Sequence, residues 1–374
     1  MSVTTALGFP VATGDQLAEI AWSTVTHVET QDENFFSKSG MTAKDTGREM
    51  SHERKAGVPI ILKDELRRGP GEEVRVRMRR QLTRTPRTST YTYGTTSMTG
   101  NEEALVYLHV HVPLWLLKTA TGHDSPDVTY HRTSIDLEQD SEDALKEWLI
   151  ENHEEAILDC FYDKYPYFVI ADTIGPATAS VAHPRTYYAG SKAGAGQMEA
   201  TDILNAREAQ RMRSYAINRR LNPIRMDGAK CFCVLADTFT LNDLKNDPAY
   251  AAAQQNANSR GSNNPMITGA VGEYNHLYFH EYERMRRTTS GANAGNIGQI
   301  ALLGADALAI VYGSEPRLVP RSETSYGDRW GRAIRQVFGG ARTDFVNQTG
   351  GASANLNQSS AQWNVWEVRD EFAQ

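Results

Sequence analysis

Residues 74–82 have the sequence VRVRMRRQL, and residues 104–112 have the sequence ALVYLHVHV. In both stretches apolar residues alternate with polar or charged ones, and this period of two is typical of half-buried β-strands. Residues 83–100, which lie between them, are rich in Thr, Ser, Tyr and Arg. The pattern predicts a long β-hairpin with a polar tip. Because a lone two-stranded ribbon is marginal in water, its apolar face needs a partner, either the body of the same chain or a neighbouring copy.

The hairpin carries a basic patch in a chain that is acidic overall. Arg75, Arg77 and Arg79 alternate along the first strand and therefore share one face. We expect this face to contact an acidic subunit surface; contact with phosphate and a simply solvated face are the alternatives. The predicted contact residues of the hairpin are Arg75, Arg77, Arg79, Arg80, Arg84, Arg87, Tyr91 and Tyr93. The expected acidic partner surface is Asp136, Glu138, Asp140, Glu142, Glu147 and Glu151.

Length and composition set broad limits on the class of protein. The chain has 374 residues, which predicts two or three substructures. Its net charge of −7 does not fit a dedicated nucleic-acid binder. Cys160, Cys231 and Cys233 contain no C-x-x-C pair, so we expect buried structural thiols and a reducing compartment. The first residues do not resemble a signal peptide and no stretch is long and apolar enough for a membrane helix, so we expect a soluble, intracellular product.

Several further elements are predicted from periodicity and punctuation. Residues 141–163 show apolar positions at helical spacing, with Asp140 or Ser141 as the cap and Pro166 as the stop, and this helix is long enough to act as a strut. The other predictions are helices over 16–28, 201–218 and 241–255, strands over 230–237 and 274–280, a tightly packed apolar segment over 301–312, and short C-terminal strands joined by Gly-rich turns.

Chemistry-bearing motifs are scarce. His109 and His111 share a strand face, and His123 and His131 follow, but no clustered third ligand is apparent, so solvated histidines are favoured over a metal site. The sequence contains no phosphate-binding loop, no nucleophile elbow and no H-E-x-x-H motif. We therefore predict no catalytic residue, metal or cofactor, while a site built from distant residues stays open.

An ordered series of segments resembles one family, the tailed-phage major capsid proteins of the N-four-like coliphage type. Each segment is short, but together they keep their order over about residues 55–330. The segments are 59–66, Gly71-Glu72-Glu73-Val74-Arg75-Val76, Gly100-Asn101-Glu102-Glu103, 232–238, Leu241-Asn242-Asp243-Leu244, Asn264-Pro265 with Gly269, Gly272 and Tyr274, 302–308 with Gly304 and Asp306, and Tyr326-Gly327.

The resemblance implies an α+β chain with the Hong Kong 97-type phage capsid fold. Its parts would be an N-terminal arm over 1–57, an extended β-hairpin loop over 58–112, a peripheral domain over 113–231 with a spine helix over 140–164, an axial domain over 232–320, and return strands of the peripheral domain over 321–374. We expect the hairpin to lie across the adjacent subunit and to bury its apolar face there.

The resemblance also implies a function. Copies would assemble into hexamers and pentamers of an icosahedral head shell around double-stranded DNA, with a portal at one vertex and with scaffolding and decoration proteins as further partners. The chain would be made in the host bacterial cytoplasm and end in the virion, without a membrane. An encapsulin-like protein shell and an unrecognised soluble enzyme or binding module are the alternatives.

Overall fold

The structure is a computed structural model that describes residues 33–44, 57–63, 73–79, 107–124, 137–171, 183, 185–219, 221–226, 228–257, 272–292, 295–320, 329–343 and 360–367. The helix predicted over residues 16–28 lies outside these ranges. None of the helices in the described ranges combines the length and the apolarity needed to span a membrane.

The described residues contain both helices and strands, with long runs of consecutive strands near each end. The helices are Phe35–Lys38 (α1), Leu137–Asp163 (α2), Tyr167–Ala171 (α3), Ala206–Asn218 (α4), Thr238–Asn246 (α5) and Pro248–Ala257 (α6). The strands are Thr42–Lys44 (β1), Ile60–Lys63 (β2), Glu73–Arg79 (β3), Tyr107–Pro113 (β4), Trp115–Asp124 (β5), Thr186–Tyr188 (β6), Ile224–Met226 (β7), Ala229–Ala236 (β8), Gly272–Tyr274 (β9), Leu277–Glu281 (β10), Arg287–Thr288 (β11), Ile297–Leu303 (β12), Leu308–Tyr312 (β13), Arg317–Pro320 (β14), Arg329–Arg342 (β15) and Ser360–Trp366 (β16).

The strands form two large sheets and one ribbon. A six-stranded sheet has the order β1-β2-β13-β15-β14, with β5 also paired to β15. An eight-stranded sheet has the order β6-β16-β12-β8-β10-β9, with β11 on β12 and β7 on β8. Among the strands of the described ranges, β3 and β4 pair only with each other. The two sheets do not follow the predicted domain limit at residue 320. Strands β13 and β14, which precede residue 320, join the six-stranded sheet, and β16, which follows it, joins the eight-stranded one.

The long helix predicted at 141–163 is confirmed as α2, which runs for 27 residues and is therefore about 40 Å long. It begins at Leu137, so Asp140 and Ser141 lie inside the helix and the predicted cap is wrong. Most of its apolar residues are buried, including Leu145, Leu149 and Phe161, whereas Trp148 is half-buried and Ala144 is exposed. A side chain at Gly340 would collide with Cys160 Sγ, since a Cβ there would lie 2.5 Å away, so glycine in β15 lets the helix approach the sheet closely.

A buried cation terminates α2. Arg342, at the end of β15, is fully buried and donates from Nη1 to the carbonyl oxygens of Phe161 and Tyr162. These are acceptors in the last turn of the helix, where the helix dipole favours positive charge. His183 packs its ring on Phe161 and accepts a hydrogen bond at Nδ1 from the Arg185 N–H. Burial and the charge of Arg342 lower the pKa of His183 well below its usual value, so His183 is neutral here.

Three predicted elements differ from the observed ones because of local backbone chemistry. The helix at 201–218 begins only at Ala206, since Asn205 rather than Thr201 provides the cap by accepting from the Glu208 N–H. The single helix over 241–255 is two helices, α5 and α6, because Asp247 precedes a proline and takes an extended conformation.

The prediction of a single strand over 274–280 is also wrong, because these residues belong to the hairpin β9–β10. Asn275 and His276 have φ values of 53° and 59°, which form its two-residue turn. The buried strand over 230–237 is confirmed as β8. The apolar segment over 301–312 is confirmed as tightly packed, but it spans two strands, β12 and β13, that belong to different sheets. The expected short strands with Gly-rich turns are wrong for residues 329–342, which form one strand of 14 residues.

We predict that Arg342→Met lowers the free energy of unfolding by about 2–4 kcal/mol, because the last carbonyls of α2 lose a charged donor inside the protein. Arg335→Met is the matched control on the same strand; Arg335 is exposed, so its change is expected to stay within about 0.5 kcal/mol. Urea unfolding followed by circular dichroism measures both variants. Equal stability of the two variants would contradict the capping role.

Candidate assembly interface

The predicted hairpin is confirmed at its base. Strands β3 and β4 pair antiparallel, with Glu73 opposite Pro113 and Arg79 opposite Tyr107. Residues 80–106, which hold Arg80, Arg84, Arg87, Tyr91 and Tyr93, lie outside the described residues. The site can therefore be described for the base of the ribbon only.

The apolar face of the ribbon base is covered by the same chain. Four valines, Val74, Val76, Val110 and Val112, are at most 6% exposed. They belong to one buried cluster with five residues of the body. Tyr165 lies just before α3 and Val169 lies within it, Ala309 and Val311 belong to β13, and Ala341 belongs to β15. The expectation that a neighbouring copy covers the apolar face is thus wrong for this part of the ribbon. The body of the same chain covers this face, and the sequence had left that alternative open.

The opposite face of the ribbon carries charge. Arg75 donates from Nε and Nη2 to Glu73 Oε1 at 3.1 Å, and His111 lies with Nδ1 3.0 Å from Glu73 Oε2. Burial raises the pKa of Glu73, but the hydrogen bonds from His111 and Arg75 outweigh it and lower the pKa from its ordinary value. Arg75 itself remains 65% exposed. The guanidinium of Arg75 therefore forms an ion pair with Glu73 and is still accessible to an external partner.

The other arginines of this face are placed only by register. Arg77 stands opposite His109 and Arg79 opposite Tyr107, two and four residues beyond Arg75, so the backbone alternation predicts one face for all three. Within the described residues, no group of three or more His, Cys, Asp and Glu side chains is arranged to hold a metal ion. The three cysteines are buried and free, and burial raises their pKa values.

The expected acidic partner surface lies along the first half of α2, and the structure divides it. Asp140 and Glu147 are exposed, whereas Glu142 forms an ion pair with Arg332 and Glu151 forms one with Arg284 at 2.5 Å. Asp136 lies outside the described residues, and of Glu138 only the backbone is described, within α2. Half of the described carboxylates are therefore already used inside the subunit.

A second acidic stretch of α2, which the sequence did not single out, holds the chain segment 282–286. Arg286 Nη2 lies 2.6 Å from Asp159 Oδ1 and 2.5 Å from Asp163 Oδ2. Its guanidinium also lies over the Tyr162 ring, 4.9 Å from the ring centroid. We call these ion pairs, together with Arg284–Glu151, the spine clamp. The clamp attaches α2 to the segment that follows β10 of the eight-stranded sheet.

Glu154 adds two hydrogen bonds beside the clamp. Its Oε2 accepts a hydrogen bond from the Tyr282 hydroxyl at 2.9 Å, and its Oε1 accepts one from the Phe35 N–H at 2.7 Å. Burial, and then the charge of Glu154, raise the pKa of Tyr282, so its hydroxyl stays protonated and donating. The acidic residues of the clamp could be seen in the sequence, since acidic residues recur every four positions on α2 from Glu151 to Asp163. The arginines that bind them could not, because they are more than 100 residues away along the chain.

Three solved structures with a similar fold are phage capsids. The capsid of Ralstonia phage GP4 matches with a TM-score of 0.67 and 18% identity, covering 88% of this chain and 97% of that chain. The cyanophage Pam1 capsid asymmetric unit matches with a TM-score of 0.68 and 17% identity, covering 91% and 94%. The capsid of Helicobacter pylori bacteriophage KHP30 matches with a TM-score of 0.61 and 15% identity, covering 88% and 90%.

These matches define the class of protein: the chain has the fold of phage capsid subunits, and the expected Hong Kong 97-type fold is confirmed. A family model described as "Phage capsid protein" matches residues 19–361. The chain belongs to this phage capsid protein family. A search of curated proteins returns no match.

We predict that Arg286→Met lowers the free energy of unfolding by about 1–2 kcal/mol, because Asp159 and Asp163 lose their shared partner and repel each other. Arg284→Met tests the more exposed ion pair of the clamp: its partner Glu151 is 54% exposed, so a loss of no more than about 0.5 kcal/mol is expected. Urea unfolding at about 0.05 M and about 1 M salt measures both variants. The difference between them is expected to shrink at high salt; equal losses would contradict the larger contribution of Arg286 within the clamp.

Proposed function

We propose that this chain is the major capsid protein of a tailed phage, and that its copies form hexamers and pentamers that tile an icosahedral head shell around double-stranded DNA. One observation carries the proposal: the family match spans residues 19–361, and the matches to the capsids of phages GP4, Pam1 and KHP30 cover at least 88% of this chain.

The proposal keeps the predicted order of parts: an N-terminal arm over 1–57, an extended loop over 58–112, a peripheral domain from residue 113 with α2 as the spine helix, and an axial domain from residue 232. It gives up the limit at residue 320, because β13 and β14 pair into the six-stranded sheet and β16 pairs into the eight-stranded one. The portal, scaffolding and decoration proteins, and the packaged DNA, would be partners of the assembled shell. The role is structural and needs no cofactor, and the virion head is where the chain would act.

The structure changes how the extended loop would work. Because the valine face of the ribbon base is buried within the subunit, the base cannot exchange that face with a neighbour. The part that remains for contact between copies is the charged face, where Arg75 is exposed and Arg77 and Arg79 follow in register. Copies related by rotation make head-to-tail contacts, so this face would meet a different surface of the next copy.

Exposed carboxylates of α2 offer such a surface. Asp140 and Glu147 point to solvent, and neither has an ion pair with another described residue. Opposite charges on the two surfaces would guide the approach of subunits and fix their register, more than they would add affinity. The strength of a shell would then come from the large number of such contacts.

The first test is whether the full chain assembles. Expression followed by size-exclusion chromatography and electron microscopy is expected to give closed shells that elute far ahead of a 41.6 kDa monomer. Elution as a monomer or a small oligomer under all conditions, with or without a scaffold, would favour the soluble enzyme or binding module. Nucleic acid inside particles isolated from infected cells separates a phage head from an encapsulin-like compartment, which would hold protein cargo.

The second test concerns the charged face of the ribbon. We predict that replacing Arg75, Arg77 and Arg79 together by glutamate blocks shell formation but leaves the subunit folded, because like charges then meet at the contact. The lysine triple variant keeps the charge and is expected to retain most assembly. Electron microscopy counts the particles, and circular dichroism checks the fold. Normal shells from the glutamate variant would refute this contact while leaving the capsid assignment intact.

A further inference from the structure

Three cations stand in a row across one end of the six-stranded sheet. Strands β5 and β14 lie on opposite sides of β15, because both pair with the same stretch of it. In this register Arg335 of β15 is directly opposite Arg317 of β14 and directly opposite Lys118 of β5. All three residues are exposed. We call this row the cation ladder; since adjacent strands are about 4.8 Å apart, it is roughly 10 Å long.

The cation ladder lies on the face of the sheet that α2 does not cover. The residues beside it along the three strands, Leu117, Leu318 and Ile334, are buried in one cluster with two leucines of α2. Because side chains alternate between the two faces of a strand, the ladder points the opposite way. The ribbon base covers that same opposite face at Ala341. Arg335 lies six residues from Ala341 along β15, which is about 20 Å beyond this cover.

The cation ladder has no counter-charge among the described residues. None of its three side chains forms an ion pair with a described carboxylate. Like charges directly opposite one another on a sheet are destabilising, so the ladder does not help the single subunit to fold. A row of exposed cations that costs the fold stability indicates an acidic partner outside the subunit.

Apolar side chains flank the cation ladder on both sides. Leu116 stands opposite Val337, and on the other side Ala333 stands opposite both Ala120 and Val319. Leu116 is 46% exposed. The phosphate backbone of DNA offers charge but no apolar surface to such rows, whereas a protein segment offers both. The surface therefore fits an acidic polypeptide with apolar residues better than it fits DNA.

This chain contains a segment with that chemistry. Residues 1–32, which lie outside the described residues, contain no Lys or Arg and have a net charge of −4. Their four carboxylates belong to Asp15, Glu19, Glu29 and Asp32. The other stretches outside the described ranges have net charges between −1 and +1. Residues 1–32 also contain apolar residues, among them Leu17 and Ile20, that suit the rows beside the ladder.

A neighbouring copy is the better source of this segment. The first described residue is Glu33, just before α1, and the Phe35 N–H of α1 donates to Glu154 Oε1 of α2 at 2.7 Å. Residues 1–32 therefore begin on the side of the sheet that α2 covers, away from the ladder of their own subunit. An extended segment of this length spans about 100 Å, which is enough to reach the open face of an adjacent subunit.

We propose that residues 1–32 of a neighbouring copy dock on the cation ladder. Their carboxylates would bind Lys118, Arg317 and Arg335, and their apolar residues would cover the rows beside the ladder. The contact is heterologous, since one copy supplies the segment and the next supplies the sheet. This inference rests on the proposed assembly of copies into a shell.

Charge reversal at the centre of the ladder tests the contact in the full-length chain. Arg335→Glu is expected to lower the yield of closed shells at least about tenfold, because the ladder then repels or ignores an acidic segment. Lys230→Glu is the matched control: Lys230 is exposed and stands directly opposite the exposed Arg225, so both variants replace a repulsive cross-strand pair by an attractive one. Lys230→Glu is expected to assemble as the wild type does. Equal shell yields for Arg335→Glu and the wild type would overturn the docking.

Urea unfolding of the isolated subunit guards against a folding defect. Because Arg335→Glu places opposite charges beside Arg317 and Lys118, its unfolding midpoint is expected to equal or exceed that of the wild type. A lower midpoint would show that the ladder stabilises the subunit itself, and this result would overturn the proposal.

Zero-length cross-linking identifies the occupant of the ladder. A carbodiimide joins a carboxylate to an amine only where the two are in contact, so in wild-type shells we expect an amide between Lys118 and a carboxylate of residues 1–32. Shells assembled from equal amounts of isotope-labelled and unlabelled chains assign the link, since peptide pairs of mixed isotope come from two copies. Pairs of a single isotope only, links from Lys118 to other carboxylates, or no link would each overturn the proposal.

The same preparations separate this inference from the proposed function. Closed wild-type shells in which Lys118 has no link to residues 1–32 refute the docking and leave the capsid assignment intact. A DNA duplex that binds the isolated wild-type subunit but not Arg335→Glu would assign the ladder to packaged DNA and would also overturn the docking. The absence of wild-type shells under all conditions would overturn both the docking and the assembly on which it rests.

Discussion

The subunit depends on the packing of α2 against β15. The helix buries its apolar stripe on the six-stranded sheet, and Gly340 allows Cys160 to lie directly on the strand. At its end, the guanidinium of Arg342 satisfies the last carbonyl groups in a place that water does not reach. The clamp at Arg284 and Arg286 then joins the same helix to the segment after β10. One helix therefore sets the position of both sheets, and a shift in it would move each of them.

Local patterns in the sequence were sufficient for the elements but not for their partners. The alternation at 74–82 and 104–112 predicted the ribbon, and the helical spacing at 141–163 predicted α2, because each depends on residues that are close along the chain. The differences arose where a single residue overrides a pattern, as Asp247 does before a proline and as Asn275 does with a positive φ. The strand at 329–342 was missed because its glycines, which resemble turn residues, serve close packing.

The sites were less predictable than the elements. The spine clamp joins residues more than 120 positions apart, and the cation ladder brings together Lys118 and Arg335, which are more than 200 positions apart. No local period encodes such contacts. Of the residues predicted for contact between copies, the structure describes Arg75 as exposed, and it assigns Glu142 and Glu151 to ion pairs within the subunit. A charged residue on a predicted helix face is therefore a weak guide to contacts between molecules.

The ribbon base does not need a neighbouring copy to cover its apolar face, because Val74, Val76, Val110 and Val112 are buried against β13 and β15 of the same subunit. The family and fold comparisons carry the capsid assignment instead. A base fixed in this way has a physical consequence for assembly. Because the apolar face of the described base is already buried in its own subunit, only the polar and charged face can contact a neighbour. Single contacts of that kind are weak and are screened by salt. Weak contacts can open again during assembly, so a misplaced subunit can leave before the shell closes, and the stability of the closed shell comes from the number of contacts that must break together.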